Sequence, residues 1–269
     1  MDAIQINTDE LVLRPSGING FYGCAFQWGK QHLEGRRSIP STRASIGTAV
    51  HAAAEAGWSE SILKNEKIMN TGMMYDAAVE ALKKEEEHGL EYDTEAGESQ
   101  NQAVKEIMDG TDSFISDIVP FAPIPLAVEE RFTVHIKHAL VKSISGTLDY
   151  RTHDSISDLK TSKRKPVPAS HVVQQSIYKW LVKSNGHEVK FNTIQAVVFK
   201  KAGAEGMILP METNIPYAKD LTNGILDTLD LVLKDIAPIE TILRPNPSYM
   251  FCSAKFCNFY GKCPATVNK

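Results

Sequence analysis

No run of this chain approaches the ~20 consecutive apolar residues that a membrane-spanning helix needs, so no membrane partner is expected. The opening residues Met1-Asp2-Ala3-Ile4-Gln5 lack the basic-then-apolar layout of a secretory signal. A cytoplasmic location is the expectation. Internal repeats and long low-complexity segments are missing too. Excess positive charge is absent: the net charge is −4, which argues against a protein that coats nucleic acid indiscriminately. A local basic groove stays open, because binding follows clustered rather than total charge. Cysteine is scarce, four in 269 residues, and a cytoplasmic chain argues against pairing them as disulfides.

What is present is the composition of an ordinary globular protein, 42% hydrophobic and 23% charged. A chain this long buries a substantial core without an external staple. We read residues 1–269 as a single domain in three parts. Residues 1–120 are mainly helical, with apolar residues at helical spacing over 16–31, 45–64, 75–87 and 100–118. Pro120, Pro123 and Pro125 close that part. The core, 126–237, has strand-like alternation over 128–137, 139–151, 155–160 and 190–200, with helices over 170–184 and 216–234. The tail, 245–269, is rich in loops. The expected class is α/β (α+β), a central mixed β-sheet flanked by helices.

The segment Gly146-Thr147-Leu148-Asp149 to Asp158-Leu159-Lys160-Thr161 carries the most chemistry. If His153-Asp154 is a two-residue turn, counting outward opposes Thr152 to Ser155 and Asp149 to Asp158. Opposed side chains of an antiparallel pair share a face, with Cβ atoms about 4.5–5.5 Å apart. Lys160, two residues on, joins that face. Two facing carboxylates repel unless a divalent cation bridges them or one takes a proton; the cation is the simpler answer. His-Asp is not a preferred hairpin dipeptide, and a lone Asp-x-Lys is most often a solvated surface pair. The basic run Lys163-Arg164-Lys165 follows directly, either as a solvated loop or as a strand-binding one.

The cysteines are Cys24 alone and Cys252, Cys257 and Cys263 together, interleaved with Phe256, Phe259, Tyr260 and Gly261. Four thiolates suit a [4Fe–4S] cluster or structural zinc. Zinc sites usually show two short Cys-x2-4-Cys knuckles, and a one-plus-three split across the whole chain favours the cluster. Closing it would staple the first helix to the tail.

Together these residues resemble the RecB-like branch of the PD-(D/E)XK nucleases, whose relatives include AddB-type helicase–nucleases and the Fe–S exonuclease of CRISPR adaptation; phages also carry versions. The resemblance rests on residues 16–24 ending in Cys24, on Ile46-Gly47-Thr48-Ala49-Val50-His51 and on Val128-Glu129-Glu130-Arg131-Phe132. It continues in the Asp149 and Asp158-Leu159-Lys160 motifs, in Gln174-Gln175-Ser176-Ile177-Tyr178, and in Cys252, Cys257, Cys263 and Pro264. Two departures are Ala25 where the family has proline, and Cys-x4-Cys where it has Cys-x2-Cys.

The resemblance implies a restriction-endonuclease-like fold and a metal-dependent deoxyribonuclease. The metal, Mg²⁺ or Mn²⁺, would be held by His51, Asp149, Asp158 and the backbone carbonyl of Leu159. Lys160, Glu129, Gln174 and Tyr178 would be catalytic, and Lys163, Arg164 and Lys165 would bind DNA. Glu129 is preferred to Glu130 by its spacing to Phe132. Taken alone, His51 on an Ala-rich helix is commonly a core or surface histidine, and Gln174 with Tyr178 need be no more than a half-buried helix face. The expected substrate is DNA, single-stranded or with a free end, cut exonucleolytically and from a 5′ end, in recombination, repair or replication beside a helicase or recombination protein. If phage-encoded, the chain would work in the host cytoplasm. A structure-dependent endonuclease is the nearest alternative. A lapsed binding module with a structural metal site is the other.

Overall fold

The computed structural model describes residues 4–7, 10–36, 41–254 and 256–267; Met1 to Ala3 of the opening stretch lie outside them. Leu11–Leu13 form a first strand, β1, with both leucines buried. A helix is expected over 16–31, but two form: α1, Pro15–Gly23, and α2, Ala25–His32. The break is Cys24, extended at φ −156 and ψ 97, which ends one helix and starts the next. Three capped helices follow. In α3, Thr42–Lys64, the Ser41 hydroxyl accepts the Ala44 N–H, and left-handed Asn65 ends the helix. Asn70 caps α4, Thr71–Glu87, and Ser99 caps α5, Gln100–Ser113, each satisfying an otherwise orphaned N–H. The expected helix to residue 118 finishes in a π turn over Phe114–Ile118. There Asp117 Oδ2 accepts the Gly206 N–H at 2.8 Å.

The remaining strands are β2, Glu130–His135; β3, Val141–Leu148; β4, Tyr150–Arg151; β5, Ser155–Ser162; β6, Phe191–Lys200; and β7, Gly203–Met211. Helix α6, Val172–Ser184, crosses between the parallel pair β5 and β6, and α7, Ile215–Leu233, and the short α8, Ile239–Ile242, follow β7. The mixed α/β architecture is as expected. The mixed sheet falls into two parts, a three-stranded one ordered β1-β3-β2 and a four-stranded one ordered β4-β5-β6-β7. One long strand over 139–151 divides at Asp149, where the chain passes from the first sheet to the second.

Two apolar cores flank this crossing. Leu148, Ile156, Ile144 and Tyr178 belong to one, under α1, α2, α6 and α7; Leu159, Tyr150, Val50 and Trp58 belong to the other, under α3, α4 and α5. Residues around Asp149 and β5 therefore alternate between the cores, and polar side chains at that seam are held by packing on both sides.

Candidate metal centre and its surroundings

The hairpin has the register counted from the sequence: Tyr150 opposes Ser157 and Arg151 opposes Ile156, with Thr152 N–H donating to the Ser155 carbonyl at 2.9 Å. Pairing stops at Tyr150. Asp149 turns out of the ladder and its Oδ2 accepts the Leu159 N–H at 2.6 Å, an amide that a longer β4 would have used. His51, on α3, places Nδ1 3.5 Å from Asp149 Oδ1.

Glu129 completes the group. It stands one residue before β2 with φ +48, left-handed for a non-glycine residue, a backbone choice that costs about 1–3 kcal/mol and concentrates at functional sites. That twist separates two adjacent glutamates. Glu130 turns to Arg151 and takes a two-pronged ion pair, Nη2 to Oε1 at 3.0 Å and Nε to Oε2. Glu129 turns to the seam. One ligand atom each from His51, Glu129 and Asp149 lies within 4.8 Å of the others, the geometry of a mixed imidazole–carboxylate cation site.

Asp158 lies beside this trio. It is 4% exposed, with Lys160 Nζ 2.6 Å from Oδ2, although that oxygen has no partner in hydrogen-bond geometry. Gln174 Nε2 reaches Asp158 Oδ1 at 3.5 Å and the Tyr178 hydroxyl at 3.3 Å. Gln174 and Tyr178, one turn apart on α6, are both buried, as their shared face requires. Asp158 and Lys160 share one face of β5; Leu159 and Thr161 take the other, towards α3. Gly47 makes that approach possible, since a Cβ there would stand 2.7 Å from Thr161 Oγ1.

The electrostatics match an over-filled acidic site. Burial first, with Asp149 opposing the relief from Lys160, pushes the Asp158 carboxyl up to about 6. Desolvation in the cleft, then Asp149 and Glu55, pushes Glu129 up to about 7. Burial pulls the His51 imidazole down, but Asp149 and Asp158 outweigh it and the net shift is upward. Burial, with Asp158 close by, raises the Tyr178 phenol. A carboxylate oxygen buried without a hydrogen bond and three carboxyls pressed together are what a divalent cation relieves. The donor set fits Mg²⁺ or Mn²⁺.

Of the sequence-derived residues, His51, Glu129, Asp149, Asp158, Lys160, Gln174 and Tyr178 converge here. Glu129, expected beside the metal ligands, joins His51 and Asp149 in the tightest trio, with Asp158 just outside it. Lys163, Arg164 and Lys165 are exposed on the loop after β5, and the Ser162 hydroxyl donates to the Arg164 carbonyl.

The cysteines gather at the α1–α2 break, where Cys24 stands, all four of them free. Burial raises the Cys257 thiol, and Cys24, Cys263 and Cys252 all bear on it. The tail docks on the helix break: Asn246 N–H points at Cys24 Sγ at 3.5 Å, and Asn246 Nδ2 donates to the Gly23 carbonyl at 3.0 Å. Gly23 leaves room for the Tyr249 ring, which a Cβ would meet at 2.5 Å. Cys263 Sγ lies 3.0 Å from Thr266 Oγ1.

Comparison with known proteins gives three findings. The family model described as the PD-(D/E)XK nuclease superfamily matches residues 13–264. No curated protein sequence matches the chain. Among solved structures, the crystal structure of a candidate exonuclease from Eubacterium rectale superposes with a TM-score of 0.56 at 14% identity, over 87% of this chain and 84% of that one. That likeness is one of fold. The structure of a protein named SSO0001 aligns with a TM-score of 0.35 at 15% identity, over 86% of this chain and 89% of that one.

Proposed function

The chain belongs to the PD-(D/E)XK nuclease superfamily, and from that premise we propose that it is a divalent-metal-dependent exonuclease acting on single-stranded DNA from a free end. The observation that carries this is the convergence of His51, Glu129 and Asp149 within 4.8 Å, beside the buried Asp158–Lys160 pair. His51, Asp149, Glu129 and Asp158 are the proposed holders of Mg²⁺ or Mn²⁺, with the Leu159 carbonyl, whose amide is tied to Asp149. When bound, the cation supplies Lewis-acid polarisation of the phosphodiester and acidifies the attacking water.

The side chains do the rest. Lys160 presents its ammonium where charge builds on the phosphate oxygens and orients the water against Asp158. Gln174 holds Asp158 and Tyr178 in place, and Tyr178 closes the site against bulk solvent. Lys163, Arg164 and Lys165 contact phosphates without reading sequence. Residues 245–269 form the proposed cluster-binding tail, with Cys24, Cys252, Cys257 and Cys263 holding a [4Fe–4S] cluster as a structural clasp. Four cysteines, all free and close enough for Cys24, Cys263 and Cys252 to bear on Cys257, offer the four sulfur ligands that such a cluster takes.

The test is hydrolysis of end-labelled linear and of circular single-stranded DNA with Mn²⁺, Mg²⁺ or EDTA. Linear strands should be degraded and circles spared, in a metal-dependent way. Cutting of circles would turn the assignment to an endonuclease. Lys160→Ala should lower kcat by at least about 10²–10³-fold with an unchanged circular-dichroism spectrum; retained metal-dependent cleavage would remove Lys160 from the mechanism. Iron and sulfide analysis after anaerobic purification decides the cluster, and equimolar zinc without iron would end that proposal.

A further inference from the structure

Two cavities adjoin one another between the metal centre and the cysteine tail. The nearer, about 170 Å³, is walled by Arg14, Arg131, Gly146, Thr147 and Tyr178, so it opens beside the proposed catalytic residues. The farther, about 400 Å³, is lined by Arg14, Trp28, Tyr249, Phe251 and Phe256 among others. Arg14 and Ser16 belong to both, so the two form one groove.

Its lining runs against the acidic balance of the whole chain. The chain has 33 acidic residues against 29 basic ones, yet neither cavity is lined by a carboxylate. Arg14 has no ion-pair partner among the described residues, and Arg131 gives only its Nε, to Ser145 Oγ at 2.8 Å. Both arginines are exposed. Arg14 bears on His32, whose imidazole is lowered by burial and then by that guanidinium. At the far end Phe251 and Phe256 are 40% and 53% exposed, in edge-to-face contact at 5.7 Å, and Phe251 meets Tyr249 at 5.3 Å. Exposed aromatic rings next to unpaired guanidinium groups are the ingredients of a single-strand site: rings stack on unpaired bases and arginines hold phosphates.

We propose that this groove is the path of the DNA strand, with Tyr249, Phe251 and Phe256 stacking unpaired bases and Arg14 and Arg131 holding the phosphates that lead to Asp149 and Lys160. The proposal rests on the nuclease reading for its direction, and it gives that reading a reason for single strands, since paired bases cannot offer their faces to the rings.

The test uses the full chain and a fluorescent oligo(dT), with Ca²⁺ in place of Mn²⁺ so that binding is measured without turnover. Phe251→Ala/Phe256→Ala should weaken binding about 10- to 100-fold, the scale of one or two base–aromatic stacks. Arg14→Gln should flatten the dependence of log K on log salt by about 0.7–1. Phe121→Ala, an exposed ring elsewhere, should leave affinity unchanged. Photocross-linking of the unsubstituted chain to 5-iodouracil strands should place adducts on the three tail aromatics, a readout that stands even if the double variant misfolds. Unaltered affinity in the variants, with adducts elsewhere, overturns the groove. Groove-dependent binding without hydrolysis in Mn²⁺ upholds the groove and fails the nuclease reading. Hydrolysis indifferent to all three substitutions does the reverse.

Discussion

Glu129 and Glu130 are adjacent and face apart, one in the candidate cation site and the other clamped to Arg151. Spacing to Phe132 pointed to Glu129, but a left-handed φ is invisible in a sequence of two identical residues. His51, Asp149, Asp158 and Lys160 were legible because each stands in a motif whose period fixes its face. The trio's membership was not, because it depends on Asp149 leaving the ladder. A pH prediction follows from the same crowding. In the metal-free protein Asp158 at about 6 and Glu129 at about 7, with His51 shifted upward, all favour the protonated, folded form. Their contribution to stability is complete below about pH 4, the ordinary carboxylate range, and is lost as pH rises through about 6 and about 7. The melting temperature of EDTA-treated protein should therefore fall between pH 5 and pH 8. Mn²⁺ should raise it more at pH 8 than at pH 5, because ligands must shed protons to bind. Equal rises at both values would detach these groups from the cation.

Among the elements, the β4–β5 hairpin was readable by counting outward from its turn, despite an unfavoured dipeptide. Thr152 explains why: its Oγ1 accepts the Ser155 N–H at 3.0 Å, a side-chain bond that pins the register without glycine. Strand β7 escaped because Gly203, Gly206 and Pro210 interrupt its alternation; as the partner of β6 at the sheet's end it tolerates them. Strand β1, three residues long, is too short for any period to show. Gly146 lies where β3 passes under α6: a Cβ would meet Tyr178 Cε1 at 2.7 Å and Pro15 Cγ at 2.8 Å. Gly146→Ala should cost about 1–3 kcal/mol in denaturant unfolding, the usual penalty of overpacking, and should also slow cleavage by displacing Tyr178. An unchanged midpoint would show that the ring and α1 yield freely.

At the scale of the molecule, a mixed α/β core with a helical cover was evident from composition and pattern. Its division into two sheets was not, because the division hinges on one residue, Asp149. The closure of the two ends through cysteine was expected, and Asn246 and Tyr249 supply contacts that no spacing rule announces. With the proposed cluster bound, Cys24→Ser should release its iron and open the tail to trypsin near Arg244 and Lys262, while α3, α4 and α5, packed in their own core, stay protected. Equal protease resistance in the variant and the parent would deny the tail its clasp. The seam between the cores has one more consequence. His51 and Asp158 are 107 residues apart in sequence, and β5 is paired along its whole length with β6, at residues 191–200. A chain emerging from the ribosome thus brings out its histidine long before the strands that must face it. The candidate site therefore cannot assemble on a nascent fragment that stops before β6.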